Sequence, residues 1–248
     1  MPTETLLLDA GGFNAGFGQL NKIKTEYLLR GYKMLGYSAV NLGYRDFLQG
    51  TKFLTAMQKE YSIPFVSANI YNLETKRPFV SRYLIKTVKM ENGQVKLRVG
   101  IFGITEKNTN LIPERRRQGG AILEARDPVE NAGDVTKQMN GRVDLIICLA
   151  HLRLEAAKKL AEQVPAIDVI ILGNDFRNQA IEVNDGKTKI VSAGQQGKYM
   201  GDLRLYLDKD KKVVRYEHAA KALDKTYKDV KKFTDLVKQF KQESVARK

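Results

Sequence analysis

Leu6-Leu7-Leu8-Asp9-Ala10-Gly11-Gly12 is a short apolar run that stops at glycine and passes straight into an irregular, glycine-rich loop. The same arrangement recurs at Ala39-Val40-Asn41-Leu42-Gly43, which runs into Tyr44-Arg45-Asp46. It appears again at Val169-Ile170-Ile171-Leu172-Gly173, which runs into Asn174-Asp175-Phe176. Apolar runs of this length have the size of buried strands, and segments with helical periodicity lie between them. Strand and helix alternating in this way predict a largely parallel sheet covered by helices. Loops at the carboxyl ends of such strands line the crevice where an open α/β sheet presents a ligand.

Working outward, Leu20, Ile23, Tyr27, Leu28 and Met34 share one face of a helix predicted over residues 19–34, which Gly36 ends. A second helix is expected over residues 46–60, burying Phe47, Phe53, Leu54 and Met57, and a strand over 64–70. Two alternating runs flank Glu91-Asn92-Gly93, and Asn-Gly is a strong hairpin signal. Asp127-Pro128-Val129-Glu130 reads as a helix start, with an Asp cap, Pro at the first helical position and an acid three residues after the cap. A strand over 143–150, a helix over 153–163 and a strand over 167–172 complete the α/β part. Residues 180–183, 189–193 and 202–207 read as an antiparallel layer closing a two-sheet sandwich. From residue 208 lysine dominates, and Leu223, Tyr227, Val230, Val237 and Phe240 recur at the spacing of a C-terminal amphipathic helix. The organisation expected is therefore a domain over 1–208 followed by a lysine-rich hairpin and helix over 209–248.

With 248 residues the chain can bury one good-sized core, and no apolar stretch approaches the roughly 20 residues that cross a bilayer. The first residues carry neither the basic region nor the apolar core of a leader. The single cysteine, Cys148, rules out an internal disulfide, a Cys-rich zinc site and covalent c-type haem attachment, and reads as a small core residue. A net charge of +14 implies attraction to polyanions or to an acidic partner. Arg115-Arg116-Arg117 is the sharpest basic cluster, although no aromatic stacking set accompanies it.

Several segments, taken in order, resemble the calcineurin-like metallophosphoesterases, and among them the 5′-nucleotidase and UDP-sugar hydrolase group. They are Leu8-Asp9-Ala10-Gly11, residues 35–43, Ser67-Ala68-Asn69-Ile70, residues 99–105, Asp127-Pro128-Val129-Glu130, Leu149-Ala150-His151-Leu152, residues 167–173 and Gly197-Lys198-Tyr199-Met200-Gly201. The resemblance implies a sandwich of two mixed sheets flanked by helices. It also implies two metal ions held by loops at the strand ends, where a bound water becomes hydroxide near neutral pH. It places the family's bridging aspartate on Gly12, its Asn-His pair on Tyr44 and Arg45, and its His-x-His on Asn174 and Phe176. The family's first Asp-x-His motif would lie on a strand before Leu6. Only His151 stands where a ligand is expected, and one imidazole cannot hold a dinuclear centre.

The domain is therefore expected to be a catalytically degenerate binding or structural subunit, with no cofactor and no catalytic residue. Replacement side chains are expected to fill the cleft or present a protein contact. His151 should be satisfied by a local hydrogen bond, Asp46 and Asp175 should pair with Arg45 or offer a weak cation site, and His218 should be a surface residue. By resemblance, partners include a multihaem cytochrome or another acidic protein, and the location is periplasmic or extracellular. The alternatives are an active metal-dependent phosphohydrolase acting on nucleotides or sugar nucleotides, and a polyanion-binding protein, with nucleic acid as one candidate.

Overall fold

The computed structural model describes residues 5–14, 16–89, 96–108, 111–112 and 120–247. Two sheets face each other with helices outside both. The small layer holds the parallel trio β1 (Leu8–Asp9), β2 (Ala39–Asn41) and β3 (Phe65–Val66). A short ladder pairs β4 (Ile70–Asn72) with β7 (Leu123–Ala125). The larger sheet comprises β5 (Tyr83–Lys89), β6 (Lys96–Thr105), β8 (Leu145–His151), β9 (Val169–Leu172), β10 (Asn178–Val183) and β11 (Thr188–Ala193). Its strand order is β10-β11-β9-β8-β6-β5. The centre is parallel, β6 to β8 to β9 to β11, and antiparallel strands close both edges. A separate antiparallel hairpin, β12 (Tyr199–Leu207) with β13 (Val213–Ala222), lies against β11 and packs its leucines on the cluster between the sheets.

Three apolar clusters correspond to the layers. Val99, Ile101, Ile147 and Val169 meet Ala10, Ala39 and Val66 between the sheets, joined there by Leu203, Leu205 and Leu207 of the hairpin. Because β8 is covered on both faces, all seven of its residues are buried, as expected of a central parallel strand. Helices α1 (Gln19–Leu35) and α2 (Thr51–Tyr61) lie outside the small sheet. Helices α3 (Pro128–Met139) and α4 (Leu154–Gln163) cover the outer face of the large one. Asp127 caps α3 as its sequence predicts, its carboxylate accepting the N–H groups of Val129 and Glu130 at 3.0 Å each. Cys148 is a buried core residue whose thiol burial pushes far above the usual range.

Several expectations need correction. The first strand is two residues long, and the strand expected over 64–70 is two short pieces, β3 and β4. The helix expected from residue 46 begins with a separate 3₁₀ turn, Tyr44–Phe47; Gly50, at φ 81°, breaks it from α2. The lysine-rich tail is helical only over α5 (Lys231–Ala246), because its earlier part completes β13. Tyr27 anchors α5 to α1 through an edge-on contact with Phe240 and a 2.7 Å hydrogen bond donated to Glu243. His218 is half-buried on β13 rather than a free surface residue. The turn at Glu91-Asn92-Gly93 and the cluster Arg115, Arg116 and Arg117 lie outside the described residues.

Candidate functional site: a closed strand-end crevice

The carboxyl ends of β1, β2, β6 and β8 converge, and Asn41 holds them together. Its side chain is fully buried at the end of β2, and its amide nitrogen donates to three backbone carbonyls. These are Ala10 in its own layer at 3.3 Å, and Ile104 and Leu149 of the opposite sheet at 2.9 and 2.8 Å. One side chain thus fixes the spacing of the two layers. Gly103 makes room for it, since a Cβ there would overlap both Asn41 Oδ1 and the Val66 carbonyl. Asn69 repeats the device, donating to Thr105 and Arg126 and accepting from the Thr105 N–H. In the sequence both asparagines stand out only as parts of the matched segments. The signal available there is an amide beside a run of otherwise apolar strand residues.

At the mouth, His151 is 4% exposed and wedged between two glycines. A Cβ added at Gly12 would sit 2.7 Å from its Cε1, and one at Gly43 would sit 2.7 Å from its Cδ2 and Nε2. The Tyr44 ring packs edge-on against the imidazole, with centroids 5.8 Å apart. Neither ring nitrogen reaches a partner of good hydrogen-bonding geometry among the described residues, and the expected local hydrogen bond reduces to a looser approach of the Gly11 backbone. Burial, opposed in part by the nearby Gly11 backbone and reinforced by the Arg45 charge, pushes the imidazole pKa down. A neutral, desolvated ring therefore fills the space that the two glycines leave open.

Asp46 lies on the other side of the same glycines. Its carboxylate accepts the N–H groups of Gly12, Asn14 and Gly43 at 2.7, 3.0 and 2.8 Å, and it does not pair with Arg45. Burial raises its pKa to about 7 in spite of those three donors. Asp9 is tied down as well, accepting from the Tyr32 hydroxyl and from Gly11 N–H. Asp175 pairs with Arg177, not Arg45, at 3.2 Å and accepts from Gln179 at 2.8 Å. Against the opposing effect of burial, these donors hold its carboxyl below the usual range.

The titration of Asp46 has a measurable consequence. As pH rises from 3.8 to about 7 the unfolded chain releases the Asp46 proton while the folded chain keeps it, so this group's contribution to stability falls through that window. Asp46→Asn removes the group and with it that decline. Wild type should therefore lose stability relative to the variant as pH rises, by several kcal/mol, on the order of 4 for a shift of this size. His151, which is lowered, is not among the causes of the Asp46 shift, whereas the Asp9 charge is, so the difference between the two proteins reads the coupled Asp9–Asp46 pair. Urea titrations across this pH window read the effect, and parallel curves would reject it.

Tyr44, Arg45, Asn174 and Phe176 do not fill the crevice. All four are exposed, Tyr44 by 50% and Phe176 by 74%. The structure thus brings together Gly12, Tyr44, Asp46 and His151, and leaves Asn174 and Phe176 on a neighbouring loop pointing outward. That loop is tied to the site by Gly173, where a Cβ would lie 2.8 Å from Ala10 Cβ. The dinuclear centre implied by the resemblance does not fit these residues. No group of three or more His, Cys, Asp or Glu side chains among the described residues is placed to share a cation. The carboxylates of Asp9, Asp46 and Asp175 are committed to backbone N–H groups, a tyrosine hydroxyl and an arginine.

Comparison with known proteins bears on the fold. No family model matches the chain. Among curated proteins it is 28% identical over 231 residues to a 5′-nucleotidase of Diplobatis ommata, an alignment covering 85% of this chain and 39% of that protein. It is 29% identical over 237 residues to the Bos taurus 5′-nucleotidase, covering 84% and 39% respectively. The chain thus spans about two-fifths of the length of these relatives. A snake venom 5′-nucleotidase of Crotalus adamanteus matches at 28% identity over 85% of this chain and 38% of its own. Among solved structures, a 5′-nucleotidase precursor from Thermus thermophilus superposes with a TM-score of 0.80 at 22% identity, covering 97% of this chain and 50% of that one. A calcineurin-like phosphoesterase of Bacillus subtilis gives 0.80 at 24% identity, covering 99% and 85%. The chain has the calcineurin-like phosphoesterase fold, and over most of its length its sequence resembles the 5′-nucleotidases.

Proposed function

We propose that this domain is a catalytically degenerate 5′-nucleotidase-like phosphoesterase that acts as a binding or structural subunit. The observation that carries the reading is His151, the one ligand-type side chain at the expected place, desolvated between Gly12 and Gly43 with no anionic partner among the described residues. A hydrolase of this fold needs an open, hydrated site in which carboxylates and imidazoles surround two cations. Here the carboxylates are spent on the scaffold, so the contribution of the domain lies on its surface. Its net charge of +14 favours an acidic partner, including an acidic cytochrome. An extracytoplasmic location, periplasmic or extracellular, accords with the snake venom relatives. No helix among the described residues is long and apolar enough to cross a membrane.

The competing reading is an active metal-dependent hydrolase of nucleotides or sugar nucleotides, favoured by the names of its relatives. Metal analysis of protein dialysed against manganese, with a nitrophenyl-phosphate assay, separates the two. The expected result is well under one metal ion per chain and no turnover above the blank. Two ions per chain with turnover would establish the hydrolase. Polyanion binding through Arg115, Arg116 and Arg117 is a third proposal. An affinity that falls steeply with salt, and is lost in the triple alanine variant, would support it.

A further inference from the structure

We infer that the face over the closed crevice is a protein-docking surface for an acidic partner, with Phe176 as its apolar anchor. This rests on the reading of the domain as a binding subunit and names the surface and the partner chemistry. Tyr44, Phe176 and Tyr199 are large apolar side chains exposed by 50, 74 and 47%. The loops that carry them are contiguous. Gly43 and Gly12 share His151, Gly173 sits on Ala10, and a Cβ at Gly194 would lie 3.3 Å from the Phe176 carbonyl and 3.9 Å from Tyr199 Cδ2. Exposed apolar side chains gathered on one face mark a contact site, and Tyr, Phe, Met and Arg are the residue types enriched in interface cores.

The exposed charges on this face are predominantly basic. Arg45 is exposed and forms no ion pair with a described residue. The Arg177 guanidinium lies 5.8 Å from the centre of the Phe176 ring, so a cation flanks the anchor itself. Lys198 is exposed beside Tyr199. Asp46 is buried among backbone N–H groups and Asp175 is buried under Arg177, while Glu155, exposed on α4 and paired with Lys158, is the acid within electrostatic reach of Arg177. A partner that meets this face with carboxylates around an apolar patch is complementary in both respects. A second copy of this strongly basic chain is not.

The test is site-directed photocrosslinking in cells of the source organism, with the photoreactive phenylalanine analogue benzoylphenylalanine placed singly at positions 44, 176 and 245. Val245, 72% exposed on α5, is the control on an element outside these loops. The expected result is one shared adduct from positions 44 and 176 that is absent from 245, with a partner whose isoelectric point is clearly acidic. In the purified pair, Arg45→Glu and Phe176→Ala should each weaken binding by roughly tenfold or more, and the Arg45 effect should shrink in high salt. Adducts from position 245 alone would keep the binding-subunit reading and overturn this surface. A basic partner, variants that bind normally, or no adduct from 44 and 176 would also overturn it. Manganese-dependent turnover would instead remove the reading beneath it.

Discussion

Asn41→Ala should cost about 3–5 kcal/mol, more than any other single truncation near the crevice. Its amide bonds to carbonyls from both layers of the sandwich, and removing it strands buried acceptors and leaves a void between the sheets. Asn41→Asp is the sharper version of the same experiment. It keeps the shape and removes the donors, so a carboxylate would face three carbonyl oxygens in a fully buried site. Its cost should equal or exceed that of the alanine variant, which a cavity alone cannot produce. Urea denaturation gives both numbers. An Asn41→Asp protein as stable as wild type would show that the layers are held by apolar packing alone.

This clamp is also what keeps the crevice shut. By tying the Ala10, Ile104 and Leu149 carbonyls to one side chain, Asn41 sets the separation between the loop after β1 and the end of β8 that carries His151. The imidazole then slots between Gly12 and Gly43 with no room on either side. The apolar core packing of the sheets, the asparagine clamp and the glycine slot form one continuous device. A molecule built to admit hydrated cations would need the slot open.

Local signals carried the architecture well. The Asp127 cap and the alternation of strand and helix each depend on residues close in sequence, and each stands where expected. The resemblance carried the fold class, because it rests on eight short segments spread in order along the chain. Less was legible wherever tertiary packing decided. Leu223, Tyr227 and Val230 have helical spacing, yet Leu223 prolongs the hairpin by donating to the Lys198 carbonyl, Asp224 holds a turn that takes in Thr226 and Tyr227, and Val230 only caps α5. The same holds for the site. In the sequence Gly12 is only a position where the resemblance implies an aspartate, and nothing there signals that the His151 ring packs against it. The partners of Asp46 are equally hidden, since backbone N–H groups carry no signature in a sequence.

Restoring the aspartate that the resemblance places at residue 12 tests whether the site is one substitution from function or closed by its whole surroundings. Gly12→Asp should destabilise the fold by about 3 kcal/mol or more and should not recruit metal. Gly12 has φ 88°, a conformation side chains adopt at a cost, and the new Cβ would lie 2.7 Å from His151 Cε1. The added carboxylate would also stand beside Asp46, whose oxygen is 2.7 Å from the Gly12 nitrogen, so two buried acids would compete for one small volume. Pairing the change with His151→Ala relieves the clash. The double variant should recover part of the lost stability, a coupling that a double-mutant cycle reads directly. Neither variant should retain manganese after dialysis, because Arg45 and Phe176 still occupy positions where the resemblance implies imidazoles. A Gly12→Asp protein that folds as well as wild type and binds two ions per chain would mean that the crevice is merely vacated, and the domain one step from a phosphohydrolase.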